Sequence, residues 1–515
     1  MTAPSGVTVS EVIVDVLSRY PGREAFVAGD RRLTYAQCSD LVGRLLSAYT
    51  ARGVGAGSGV AMLSPNRPES WLAQAAAYLL GATFTGLQVL GTTDDHVFIC
   101  EDAEASVLVA DEAFADRAEA IHSLAATLDH LIVLGADGSS DALASVSART
   151  LGAGPAGEED VAWFPYTGGT TGRPKGVMLP QRALVAQTLS YLASCGIPER
   201  PRYLAASPIT HGAVLPVLPT LCRGGTVITL AAFDPDQWLR TIEAERANCA
   251  FIVPTMLQAV LDHARPEAFD LSSLETVFYS AAPMPPARVV EAMERIGPVF
   301  QQLYGLTENV GTATTLRRDE HDPARPDRLA SCGRPVLGAS VAVIDDDGNV
   351  LPVGEVGEIA VKSRATMLGY KNLPVETATA LHEGWLRTGD LGQRDDEGFF
   401  SIIDRKKDMI ISGGFNVYAR EVEDVLATHP AVASAAVIGI PDDKWGEAVH
   451  AVIVARTGVS IDASDLAAFV RGRKGPVYAP KSVDFVDALP LTTVGKVDKL
   501  VLRAPFWSAQ ERQVN

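Results

Sequence analysis

The chain has 515 residues, 47% of them hydrophobic and 21% charged, the balance of an ordinary globular protein with several domain-sized units rather than a disordered one. Lys plus Arg number 44 against 62 Asp plus Glu, and the formal net charge of -18 sets the surface against nucleic-acid phosphates and anionic lipid headgroups. Any anionic ligand must therefore be held by local groups against the global field. The six cysteines, at 38, 100, 195, 222, 249 and 332, form no CxxC pair and no metal-ligand spacing, the usage of a reducing cytosol with ordinary buried thiols. No basic stretch followed by an apolar core opens the sequence, and no run approaches the roughly 18 apolar residues of a bilayer span, so a cytoplasmic protein without membrane or nucleic-acid partners is expected.

In chain order, residues 9–18 have helical spacing, 26–35 read as a hairpin turning at Gly29-Asp30, and 36–52 are helical again. Short apolar runs follow at 59–63, 106–110, 131–134, 226–230, 249–253 and 276–280, separated by amphipathic stretches such as 69–80. That alternation predicts an α/β fold of layered, mainly parallel sheets and helices. From about residue 335 the texture turns to strands and hairpins, with Asp345-Asp346-Asp347-Gly348 as a turn and clean alternation over 357–362, a β-rich subdomain. After the charged segment Asp404-Arg405-Lys406-Lys407-Asp408 come a helix at 421–428, a strand at 431–440 and a helix at 463–473. The expected division is a large N-terminal domain, 1–404, and a small α+β domain, 408–515.

The most informative segment is Tyr166-Thr167-Gly168-Gly169-Thr170-Thr171-Gly172-Arg173-Pro174-Lys175-Gly176, set after the strand-like 161–164 and before a helix from Arg182. Its four glycines let backbone N–H groups turn toward an anion, its three threonine hydroxyls can donate to phosphate oxygens, and Lys175 adds a cation. It is not a Walker A loop, because GxxxxGK followed by Ser or Thr is absent. The segment resembles the S/T-S/T-G-T-T-G-x-P-K-G signature of adenylate-forming enzymes: acyl-CoA synthetases, peptide-synthetase adenylation domains and firefly-type luciferases. Gly168 is a departure, since a hydroxyl residue is usual there.

Further motifs follow in the family's order. Tyr304-Gly305-Leu306-Thr307-Glu308 resembles YGxTE, which implies Tyr304 stacked on adenine, Thr307 at the α-phosphate, and Glu308 with Thr167 holding Mg2+. Ala282, Pro283 and Gln302 are expected to complete the adenine side. Arg387-Thr388-Gly389-Asp390 resembles RTGD, implying that Asp390 accepts from the ribose hydroxyls with Arg405 nearby, and Lys407 matches a hinge position, so 405–407 would join a mobile C-terminal lid to the larger domain. Gly495-Lys496 resembles the C-terminal SGK, with Val494 where Ser is usual. Lys496 is then the adenylation lysine, stabilising charge that develops between the acid and the α-phosphate.

The resemblance spans nearly the whole chain and implies two half-reactions. ATP and a carboxylate give an acyl-adenylate and pyrophosphate, and a thiol then takes the acyl group. Trp445-Gly446-Glu447 resembles an element of CoA ligases, and Gly413 and Gly414 are expected to line the pantetheine channel, so CoA is the first choice of acceptor and a carrier-protein thiol the alternative. The stretch 207–214 holds no acid to pair with an amino-acid ammonium, which disfavours amino acids; His211 and Gly212 fall where the carboxylate pocket is expected. Ser280 and Ala281 stand where a glycine-rich segment is usual, and with Gly305 and Val310 they are expected to line a pocket for a small or aromatic acid bearing a polar substituent. A non-carboxylate oxyanion such as nitrite passed to an arylamine is an alternative chemistry. A nucleotide-binding regulator without turnover would have no need of Lys496.

Overall fold

The computed structural model describes residues 6–167, 174–210, 212–442, 444–456, 458–459, 461–492 and 497–507. The chain divides into two units, one of residues 1–341 and 361–386, the other of 342–360 and 387–515. The family-derived hinge at 405–407 falls within the second unit.

The first unit is built on two sheets. One runs in the order Arg334–Pro335, Thr314–Leu316, Phe300–Tyr304, Thr276–Tyr279, Cys249–Ile252, Arg202–Ala205, Thr226–Thr229, Glu24–Ala28, Arg31–Thr34, parallel through its middle and antiparallel at its edges. The other joins Gly369–Tyr370, Lys175–Pro180, Val161–Trp163, Thr83–Leu87, Gly59–Leu63, Ala105–Asp111 and His130–Leu134, with Tyr166–Thr167 paired to Lys175–Pro180. The central strands are mostly apolar and buried along their length, as strands covered on both faces are.

Helix Pro68–Leu79 is buried at every position and packs against strands of both sheets, which is why apolar residues predominate on all its faces. Its one carboxylate, Glu69, is fully buried but answered by Arg31 and Arg67 at 2.5 and 2.8 Å. The expected hairpin and helices near the N-terminus are present, except that Tyr35 opens helix Tyr35–Thr50 instead of closing the hairpin. Thr34 and Gln37 form a reciprocal capping box there, and that local bonding fixes the boundary.

In the second unit, antiparallel strands Val432–Asp442 and Gly446–Ala455 pair in long register, flanked by Ile410–Ser412, Phe415–Val417 and Ser482–Phe485. Helices Ala419–Ala427 and Ala463–Lys474 cover one apolar cluster around Val437, Val449 and Leu466. In the charged segment at 404–408 the two carboxylates, Asp404 and Asp408, are only 4% and 8% exposed, while Arg405 and Lys407 are exposed. Five of the six cysteines are buried and Cys222 is partly so, and burial pushes the thiols of Cys38 and Cys100 up to about 12. Among the described residues no helix is long and apolar enough to cross a membrane.

Candidate active site

In parallel sheets ligands bind at the carboxyl ends of the strands, and three such ends lead to residues that the sequence singled out. Strand Thr276–Tyr279 runs into Ser280, Ala281 and Ala282, strand Phe300–Tyr304 into Gly305, and strand Arg202–Ala205 toward Gly212. Gly305 has no substitute: an added Cβ would lie 2.5 Å from the Gly311 and Thr312 backbone. That close approach folds 306–311 into a tight turn, in which the Leu306 amide donates to Asn309 Oδ1 at 2.7 Å and the Gly311 amide to the Leu306 carbonyl at 2.7 Å. Val310 adopts φ +53°, a left-handed conformation that a β-branched residue accepts only when its surroundings impose it. Ala281 likewise has φ +76°.

The turn sets Thr307 and Glu308 in a short 3-10 segment packed on strand Lys175–Pro180. Glu308 Oε1 accepts from the Tyr370 hydroxyl at 2.8 Å, while the Glu308 carbonyl accepts from the Met367 amide at 2.8 Å. Tyr370 sits on the strand paired to Lys175–Pro180, and Lys175 Nζ lies 5.3 Å from its ring centroid. Thr167 pairs directly with Lys175. Thr167, Lys175, Glu308 and Tyr370 thus form one polar cluster. Tyr370 is the member that sequence reasoning missed, because a Tyr following a Gly carries no charge or spacing signal of its own. Magnesium prefers hard oxygen donors and usually takes one or two from protein beside phosphate oxygens; Glu308 and Thr167 have that chemistry.

Gly168, Gly169, Thr170, Thr171, Gly172, His211 and Lys496 lie outside the described residues. Tyr304 and Gln302 are half-buried on their strand, and Ala282 and Pro283 follow the Ala281 bend. The Ser280 hydroxyl, expected to seek a partner in the acid pocket, donates instead to the Leu303 carbonyl at 2.8 Å. It is committed to the backbone and lends no support to a polar substituent on the acid. Around Gly212 the walls are apolar: an added Cβ would stand 3.3 Å from the Phe251 ring, and at Gly311 2.4 Å from Leu215.

In the second unit the structure joins residues that the sequence placed fifteen apart. Asp390, 2% exposed, pairs across the sheet with Arg405, whose Nε lies 2.6 Å from Asp390 Oδ1. The Asp390 amide donates to Thr388 Oγ1 at 3.1 Å, and the preceding Gly389 takes φ +70° so that its amide reaches Glu358 Oε1 at 2.9 Å. Lys407 is exposed beside them. Elsewhere in this unit the half-exposed Trp445 lies over Gly413, where a Cβ would meet the indole at 2.7 Å, and the Gly413 amide donates to the Trp445 carbonyl at 2.7 Å. Gly414, at φ +82°, is open, and Lys444 Nζ stands 4.6 Å from the indole centroid. A flat ring, a glycine edge and a nearby cation form a surface suited to a narrow polar chain.

A family model described as AMP-binding enzyme matches residues 14–371, and one described as AMP-binding enzyme C-terminal domain matches residues 421–496. The chain belongs to the AMP-binding enzyme family. It is an adenylate-forming ligase, similar to enzymes named as CoA ligases. Medium/long-chain-fatty-acid–CoA ligase FadD8 of Mycobacterium tuberculosis is 42% identical over 522 residues, covering 98% of this chain and 91% of its own length. Feruloyl-CoA synthase of Amycolatopsis sp is 38% identical, with 94% and 96% covered. Among solved structures, amide bond synthetase McbA from Marinactinospora thermotolerans superposes with a TM-score of 0.88 at 34% identity, covering 96% of this chain and 99% of that one.

Proposed function

We propose that this ligase activates an aromatic carboxylic acid with ATP, releases pyrophosphate and passes the acyl group to the thiol of CoA. The observation that carries the reading is the polar cluster of Thr167, Lys175 and Glu308, with Tyr370 fixing the carboxylate, on the strand that ends the glycine-threonine segment. Thr167, Glu308 and nucleotide phosphates would hold Mg2+, which when bound neutralises phosphate charge. Lys175 and the segment 168–172 bind the phosphates, Tyr304 with Ala282, Pro283 and Gln302 the adenine, and Asp390 with Arg405 the ribose. Thr307 contacts the α-phosphate. Lys496 stabilises the charge that develops as the carboxylate oxygen bonds to phosphorus and the pyrophosphate oxygen departs. His211 gates the carboxylate end of a pocket lined by Gly212, Ser280, Ala281, Gly305 and Val310. For the second step, residues 405–407 act as the hinge of a C-terminal lid, and Gly413, Gly414 and Trp445 receive the pantetheine arm.

The apolar surroundings of Gly212 and the committed Ser280 hydroxyl support an apolar acyl group, and similarity to a feruloyl-CoA synthase supports an aromatic one. Similarity to a medium/long-chain ligase favours a second reading, a fatty acid. No observation favours a carrier-protein thiol or nitrite. The test is a panel of aryl, short-chain and fatty acids, with nitrite, assayed for pyrophosphate release with and without CoA. CoA-dependent turnover of aryl acids supports the reading. Preference for fatty acids replaces the substrate class, and release with nitrite and an arylamine, or transfer to amines alone, overturns the chemistry.

A further inference from the structure

The residues on either side of the Lys496 segment are pinned together. Leu491 and Val497 form an antiparallel bridge, and the Asp498 amide donates to the Pro490 carbonyl at 2.8 Å. Asp498 then caps helix Lys499–Trp507, its Oδ1 accepting from the Leu500 and Val501 amides at 3.0 and 3.3 Å. At the far end the Trp507 indole donates to the Gly439 carbonyl at 3.0 Å. Whatever fixes this helix therefore fixes the flanks of residue 496.

Two cations one turn apart on the helix are sunk among carboxylates. Lys499 Nζ lies 2.7 Å from Glu423 Oε1, its side chain 17% exposed, and Arg503 Nη1 lies 2.8 Å from Asp408 Oδ1, its side chain 9% exposed. Glu423 is itself fixed, because the same oxygen accepts from the Val437 amide at 2.7 Å. Asp404 faces the cluster, with its oxygens accepting from the Arg405 amide at 2.8 Å and the Arg420 amide at 3.5 Å. Burial alone would lower the Lys499 ammonium, but Glu423, Asp408 and Asp404 outweigh it and hold Lys499 above its ordinary value, hence charged. Desolvating so many charges is a poor route to stability, since well-packed apolar side chains do as well or better. The cluster makes sense as a device for geometry: it joins the helix that follows Lys496 to Asp404 and Asp408, which bracket the proposed hinge.

We propose that Lys499 is a positioning residue for the adenylation half-reaction, holding the segment that carries Lys496 in register with the 404–408 segment through Glu423, Asp404 and Asp408. This rests on the adenylating role assigned to Lys496. In this role Lys499 acts on no reacting atom but through the helix that it opens, three residues after Lys496.

The test uses the full-length enzyme and four variants: Lys499→Met, Lys499→Arg, Glu423→Gln and Lys496→Ala. Each is assayed for pyrophosphate release with Mg-ATP and the preferred acid, for thioester formation from supplied acyl-adenylate and CoA, and for melting. Lys499→Met is expected to lower adenylation kcat at least about tenfold with the KM for ATP and the transfer rate within about twofold, and Lys499→Arg to restore most of the loss. If the Met variant does not fold, Glu423→Gln carries the test, with an expected loss of about threefold or more in adenylation alone. Wild-type adenylation in the folded variant, or an equal fall in both half-reactions without rescue by Arg, overturns the proposal. Lys496→Ala separates the two layers. If it abolishes adenylation while Lys499→Met does not, only the positioning role fails; if it retains adenylation, the reading of Lys496 fails and this proposal with it.

Discussion

Ser280 and Tyr370 show how one hydroxyl can change the reading of a pocket. In the sequence, Ser280 in place of a glycine suggests a polar contact to the acid, but the hydroxyl donates to Leu303 and its work is structural. Ser280→Ala should cost about 1 kcal/mol of stability and leave the order of preferred acids unchanged, read from melting and from the acid panel. A reordered preference would return the hydroxyl to the substrate. Tyr370 is the converse, silent in the sequence and bonded to Glu308. A hydroxyl bond to a carboxylate contributes about 1.5–3 kcal/mol, so Tyr370→Phe should raise the KM for Mg-ATP roughly tenfold while the fold melts normally. Motif order singled out Asp390 and Glu308, and the fold gives them the partners Arg405 and Tyr370. Tyr370 was not singled out, because its bond to Glu308 joins residues 62 apart in the chain that only the tertiary fold brings together.

At the scale of elements, apolar runs and turn chemistry located most strands and helices, since burial on both faces demands continuous apolar sequence. The boundary at Tyr35 escaped because a two-residue cap decided it. The burial of Asp404 and Asp408 was not legible for a deeper reason: only the tertiary fold brings Arg503 onto Asp408 and sets Lys499, paired with Glu423, among these carboxylates. The Trp445–Gly413 contact belongs to this scale as well. Gly413→Ala meets the indole at 2.7 Å and sits at φ +60°, so it should displace Trp445. The expected result is a fall of about tenfold in CoA-dependent thioester formation with pyrophosphate release from ATP and acid nearly unchanged. Equal loss in both steps would remove Trp445 from the CoA path.

For the molecule as a whole, the buried Asp404 makes stability depend on pH. Burial pushes its pKa up to about 6, only partly opposed by Lys499 and the Arg405 amide. A carboxyl whose folded value lies above its unfolded value near 3.9 binds more protons in the folded state, so its penalty is absent below about pH 4, grows through pH 4–6 and is complete above. Asp404→Asn should therefore raise the denaturation midpoint at pH 7.5, by up to about 3 kcal/mol of stability, and lose that advantage near pH 4. An equal gain at both pH values would contradict the assignment of a raised Asp404.

If the proposed chemistry holds, an acyl-adenylate forms first and a thiol then consumes it. The most direct measurement is mass spectrometry of quenched mixtures of enzyme, Mg-ATP and the best acid, before and after CoA is added. The expected result is acyl-adenylate with stoichiometric pyrophosphate before CoA, and AMP with acyl-CoA after it. An acyl-phosphate with ADP, or an adenylate that persists with CoA but disappears with an amine, would contradict it.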